Sequence, residues 1–356
     1  MAGWPQAEGS FSLGDFTVAA GGTIRDCRVV WQTHGTLNAA RDNAILYPCS
    51  YGASHGDMSF LIGPDGILDP TEWFIVIPDM FSNGVSSGAA DTPDFPLLVG
   101  YADLVEVQRR LLAEVFGITR LAAVYGFSMG AQQAYHWAAR HPDMVARAFV
   151  LCGTARTSVH NKVFHSGLLR TLEAAPEHLG RGRFSAEPVL AKKAFAHIYA
   201  GWALSQDFYR AGLHMSVLGA PDLDTYLRTD WTERMGARPA ANLYAQLMTW
   251  YHGDIADGGD LATALGAITA RMVLMPSETD LYFRVADNAA EMPFLKNAVL
   301  KPIPSIWGHR AGNPHPAVIP ADFAFVKEAV REAMAGSVWV ESARIDAKPL
   351  TLIGVM

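Results

Sequence analysis

Three side chains can make a hydroxyl nucleophilic at neutral pH: a serine, an imidazole to take its proton, and a carboxylate to orient the imidazole. The stretch LAAVYGFSMGAQQAYHW places Ser128 between Gly126 and Gly130 in a G-x-S-x-G spacing, after an apolar run and before an amphipathic one. A serine at such a strand-to-helix turn needs small residues two positions away, where bulk collides with the adjoining strand and helix. The helix that starts behind it aims free N–H groups and a positive dipole end at developing negative charge. The partners belong on loops after later strands, in the order Ser, carboxylate, His. ARMVLMPS leads into Glu278, Thr279 and Asp280, and AVLKPIPS leads into Trp307, Gly308 and His309. Asp280 is preferred to Glu278 because it lies deeper in the loop and precedes the apolar LYF. His309, presented by Gly308, is preferred to His315, which sits between two prolines and reads as surface loop.

Acyl chemistry at Ser128 also needs two backbone N–H groups facing the substrate oxygen. Met129 supplies one; the other is expected from PCSYGASH, with Ser50 or Tyr51 the candidate donor and Gly52 permitting close backbone approach. The histidines His34, His55, His136, His160, His165 and His252 show no ligand spacing of the H-E-x-x-H kind, so no metal is expected. Cys27, Cys49 and Cys152 are odd in number, widely spaced and set in apolar stretches, which reads as three buried free thiols.

The elements that must position these residues follow from the apolar pattern. The first ~35 residues read as two strands joined at Gly21 and Gly22, forming an antiparallel edge. From Ala44 the chain shows short continuous apolar runs, AILYPCS, WFIVIPD, LAAVYG, ARAFVLCG, ARMVLMPS and AVLKPIPS. Strands buried on both faces read this way. Helical patterns fall between them, from Asp103, Met129 and Ala321, so an α/β fold with a mostly parallel sheet is expected. The alternation stops between about Ala155 and Leu265, where AKKAFAHIYAGWAL, PDLDTYLRTDW and ANLYAQLMTWYHGD suggest an inserted helical lid. The division is therefore a core of residues 1–154 and 266–336, a lid of 155–265, and a tail of 337–356, which is an edge strand or an appended remnant. Tyr199, Trp202, Tyr244, Trp250 and Tyr251 suggest an apolar pocket under the lid.

The 356 residues are 50% apolar and 18% charged, enough for a substantial core. A net charge of −7 without a basic run argues against nucleic acid or an anionic membrane as partner. The start MAGWPQAEGS lacks a basic n-region and an apolar h-region, so a cytoplasmic location is expected. Apolar runs such as WFIVIP are far short of the ~20 residues needed to span a bilayer.

QTHGTLNAARDNAILYPCSYGASH, the DFP at Asp94, YGFSMGAQQAYHWAARHPDMV, SETDLYF and SIWGHRAG together resemble the homoserine O-acetyltransferase-like branch of the α/β-hydrolase superfamily. The likeness spans most of the chain outside the lid. It implies a triad of Ser128, Asp280 and His309, a helical lid, a homodimer joined through the lids, and ping-pong acyl transfer. Members that use homoserine carry an Arg and a Tyr seven residues apart on a lid helix, where this chain aligns Lys193 and Ala200. Lysine lacks the planar fork of arginine. Water is therefore the expected second nucleophile, making a hydrolase of a small-molecule ester or amide that needs no cofactor. The alternatives are an O-acyltransferase with acetyl-CoA as donor, and a non-catalytic binding protein on the same scaffold.

Overall fold

The computed structural model describes residues 3–337; most of the tail read from the sequence lies outside the described residues. The chain opens with a hairpin, β1 (Gln6–Thr17) and β2 (Thr23–His34), turned at Gly21 and Gly22, both with positive φ. Six further strands follow: β3 (Ala44–Leu46), β4 (Phe74–Pro78), β5 (Ala123–Phe127), β6 (Arg147–Leu151), β7 (Arg271–Met275) and β8 (Ala298–Leu300). They join in one sheet of order β1-β2-β4-β3-β5-β6-β7-β8. The hairpin pairs antiparallel with β4, and all pairings from β4 through β8 are parallel, as the apolar runs require.

Both faces of the sheet are buried, in two separate clusters. Ile45, Ile75, Ile77, Tyr125, Phe149, Leu151 and Val273 point to one side, and their neighbours Leu46, Val76, Val124, Val150 and Leu274 to the other. This alternation is why the strands carry no polar face. The second cluster packs on α1 (Tyr101–Phe116) and α2 (Met129–Arg140). Helix α1 begins two residues before the expected Asp103, because Asp103 is itself the N-terminal cap partner: its carboxylate accepts the Gly100 amide at 2.8 Å. It stops at Gly117 in the left-handed region. Helix α2 buries Trp137 completely, and the indole N–H donates to Gln108 at 2.7 Å. Truncating that ring to alanine would cost about 3–5 kcal/mol.

Between β6 and β7 the chain is helical, as expected. It contains α3 (Val159–Glu173), α4 (Val189–Ala203), three short helices α5–α7 (Gln206–Arg210, Leu213–Ser216, Leu223–Tyr226), and a π-helical turn, Leu227–Glu233. That turn runs into α8 (Arg234–Gly236), followed by α9 (Ala240–Tyr251) and α10 (Leu261–Gly266). Helix α3 is not among the segments singled out above; its polar run VHNKVFHS hides an apolar face of Phe164, Leu168, Leu169 and Leu172. Helices α11 (Val285–Glu291) and α12 (Pro320–Ala335) complete the fold, α12 starting with proline at its first position, where no amide bond is lost.

Candidate active site

Ser128 stands between β5 and α2 with φ 58° and ψ −124°, a conformation costly for any residue with a side chain. The surroundings enforce it. A Cβ on Gly126 would lie 2.1 Å from the Gly130 carbonyl oxygen, and one on Gly130 would lie 2.5 Å from that of Pro48. Both glycines are therefore dictated by backbone contact.

The loops after β7 and β8 bring two further side chains to the serine. His309 Nε2 lies 2.8 Å from Ser128 Oγ, and His309 Nδ1 lies 2.7 Å from Asp280 Oδ2. The other Asp280 oxygen accepts the Tyr282 amide at 2.7 Å and the Phe283 amide at 3.3 Å. All three residues are at most 5% exposed. The imidazole is boxed by Phe127, Tyr282 and Phe283, with ring centroids at 4.6, 4.7 and 5.7 Å. Its loop is fixed as well. Gly308 has φ 59°, its amide donates to Thr279 Oγ1 at 3.1 Å, and Ser205 Oγ donates to the Ile306 carbonyl. Such a chain can pass the serine proton to nitrogen while holding one imidazole tautomer.

Glu278 and His315 stand outside this chain of bonds. Glu278 is exposed and Asp280 is buried. His315 lies half-exposed on a loop, as expected, and there it lines the cavity over Ser128 and packs on Phe60 at 5.1 Å.

The loop expected to carry the second oxyanion donor lies beside the serine. Ser50 Oγ donates to the Phe127 carbonyl at 2.6 Å, and Gln133 of α2 donates to the Cys49 carbonyl at 2.9 Å. These two bonds lock the loop to the element bearing Ser128 and Met129. The Gly52 amide is taken by Gln246 at 2.7 Å, while Ser50 and Tyr51 line the cavity. The Met129 amide opens α2, where no carbonyl of the helix itself can receive it.

The cavity holds about 420 Å3. Aromatic side chains including Tyr51, Phe60 and Phe127 do line it, but most of the lid aromatics named from the sequence do not reach it. Of the five aromatics proposed, Tyr199 reaches it; Trp202 stacks on Tyr282, Trp250 is packed against Phe283, Tyr244 donates to Glu173 and Tyr251 lies under Lys162. Trp231, Asp230, Arg234, Arg238 and Arg310 line it instead. Arg310 follows His309 in the chain; Asp230 and Trp231 sit on the π-helical turn, Arg234 on α8 and Arg238 two residues beyond it, and the sequence pattern does not reveal which way these face. Lys193 is exposed on α4 and absent from the cavity wall, while Ala200 is buried. The buried face of that helix presents Lys192, ion-paired with Glu187 at 2.5 Å, and Tyr199.

Cys27, Cys49 and Cys152 are buried free thiols. Cys152, Asp280 and His309 offer ligand atoms within 4.8 Å of one another, but two of the three are engaged in the chain of bonds to Ser128.

The chain matches a family model described as the alpha/beta hydrolase fold over residues 54–245. It is 36% identical to a probable esterase of Corynebacterium glutamicum, over 84% of this chain and 88% of that protein. It is 34% identical to an ethyl acetate hydrolase of Pseudomonas veronii, over the same shares. Among solved structures, an acetylester hydrolase from Corynebacterium glutamicum superposes with a TM-score of 0.84 at 34% identity, covering 91% of this chain and 96% of that one. Homoserine O-succinyltransferases match more distantly, that of Methylibium petroleiphilum at 29% over 74% of this chain and 77% of its own.

Proposed function

This chain belongs to the α/β-hydrolase family, and on that footing we propose that it hydrolyses small-molecule esters through an acyl-serine intermediate. The observation that carries the reading is the 2.8 Å contact of His309 Nε2 with Ser128 Oγ, continued to Asp280 at 2.7 Å. Ser128 attacks the acyl carbon as His309 takes its proton, and the Met129 amide with that of Ser50 or Tyr51 binds the oxyanion. The alcohol leaves with the proton from His309. Water then attacks the acyl-serine, giving its proton to His309, and the acid departs as Ser128 is reprotonated. The reaction draws on no metal or cofactor. The esterase and acetylester hydrolase relatives support a short acyl group.

Hydrolysis of 4-nitrophenyl acetate and ethyl acetate, abolished by Ser128→Ala, is the test. Transfer to an alcohol from acetyl-CoA is the competing reading, supported by the homoserine O-succinyltransferase relatives. CoA release from acetyl-CoA that depends on added homoserine would replace hydrolysis with transfer.

The helical stretch 155–265 serves as a lid over a core of 1–154 and 266–336. Val159, Val163, Val189 and Leu190 on α3 and α4 are 61–83% exposed, and we place a homodimer contact there, tested by sedimentation of Leu190→Asp. Three unpaired buried thiols favour a reducing, cytoplasmic setting.

A further inference from the structure

The ester chemistry leaves part of the cavity wall unused. Arg234, Arg238 and Arg310 line it against Asp57 and Asp230, three guanidiniums to two carboxylates. Arg238 is committed to the backbone, its Nε donating to the Gly52 carbonyl at 2.6 Å and its Nη1 to that of Arg234 at 2.7 Å. Asp57 is committed to the Ser54 amide and hydroxyl, at 2.9 and 3.0 Å. Asp230 accepts from Thr229 at 3.1 Å. Arg234 is exposed, at the rim. Arg310, next in the chain to His309, forms no ion pair with a carboxylate of the described residues. Burial pulls its pKa below the ordinary arginine value, which neighbouring Tyr226 partly offsets.

Two more donors collect beside Arg310. The buried Tyr226 hydroxyl faces Arg310, the Trp231 indole and Tyr209 without a well-formed hydrogen bond to any of them, and Trp231 lines the cavity. An indole N–H and a guanidinium can only donate. Arg310 is half-buried and makes no ion pair, Asp230 acting on it only at longer range, so its guanidinium fork is free to receive an anion.

The geometry points to a carboxylate on the substrate: an ester seated on Ser128 whose second, anionic group is held by Arg310, with Trp231 as a further donor, Tyr226 backing Arg310 from behind the wall and Arg234 drawing the anion in at the rim. The single positive charge left over on the wall matches a monoanion, and the planar guanidinium fork receives a carboxylate in two parallel bonds. The ester-hydrolase reading supplies the position of the attacked carbon; the anion seat is testable apart from it.

The test is calorimetric titration of the Ser128→Ala protein, where turnover is removed, with acetoxyacetate (carboxylate on the alcohol side), monoethyl succinate (carboxylate on the acyl side) and neutral ethyl acetate. At least one carboxylate ester is expected to bind about 30-fold or more tightly than ethyl acetate, a preference lost in Arg310→Gln and weakened by salt. Equal affinity for all three, or a preference surviving Arg310→Gln, overturns the proposal. Should Arg310→Gln fail to fold, Arg310→Lys and Tyr226→Phe decide: carboxylate affinity unchanged in both overturns it. A wild type that binds carboxylate esters but hydrolyses no ester defeats the hydrolase reading alone. One that hydrolyses ethyl acetate without carboxylate preference defeats the anion seat alone.

Discussion

Asp79, buried just past β4, accepts both the backbone amide of His55 at 2.9 Å and its ring Nδ1 at 2.5 Å. Asn83 donates to the same carboxylate at 2.7 Å. The clamp fixes the far end of the loop whose near end carries Ser50 and Tyr51, so backbone donors proposed to hold the oxyanion depend on a residue that never meets substrate. Asp79→Asn is expected to lower kcat for 4-nitrophenyl acetate about 10-fold or more, with KM changed little, since displacement of a preorganised donor acts on the transition state. An equal fall in thermal stability with unaltered kcat would assign Asp79 to the fold alone.

Ser128→Ala is expected to reduce kcat by at least about 10,000-fold while circular dichroism and melting stay near wild type, because the hydroxyl serves chemistry and not packing. Asp280→Asn should lose most activity through the wrong imidazole tautomer, whereas Glu278→Gln, an exposed change, should not. Retained activity in Asp280→Asn would reassign the carboxylate.

Gly126→Ala is expected to prevent the strand-to-helix turn from forming, since the new methyl would stand 2.1 Å from the Gly130 carbonyl oxygen. Soluble yield and fluorophosphonate labelling of Ser128 measure it. Labelling at wild-type rate would show that the turn has room.

Glu291 gives a pH dependence of stability. Burial raises its pKa from 4.5 to about 7, although Tyr135, Asn288 and the Ala155 amide all donate to it. Between those values the folded chain keeps a proton that the unfolded chain has released, so stability falls as pH rises from about 4.5 to 7, by on the order of 3 kcal/mol. Urea midpoints at pH 5 and pH 8 should differ more in the wild type than in Glu291→Gln. Equal differences would remove Glu291 as the cause.

The sheet was legible because a parallel strand buried on both faces leaves an unmistakable apolar run, and the meeting of Ser128, Asp280 and His309 could be anticipated because each lies on the stretch after such a run, Ser128 at once and the other two several residues on. Cavity-facing residues were not. Trp202 and Trp250 look in sequence like Tyr199, yet they pack against Tyr282 and Phe283; which way a helix turns is decided by its tertiary contacts. The prolines around His315 signal its loop without saying that the loop borders the cavity. Helix α3 escaped because a narrow apolar stripe among polar residues resembles a surface loop.

The π-helical turn Leu227–Glu233 ties the lining of the cavity to chain length. Its backbone closes onto the fifth residue back instead of the fourth, and the Thr232 hydroxyl reaches the Leu227 carbonyl at 3.0 Å across that widened ring. Deleting one residue there would restore ordinary winding and swing Arg234 by about 100° around the axis. An insertion or deletion of a single codon could thus redirect which molecules enter, leaving the acyl-transfer machinery on the sheet as it was.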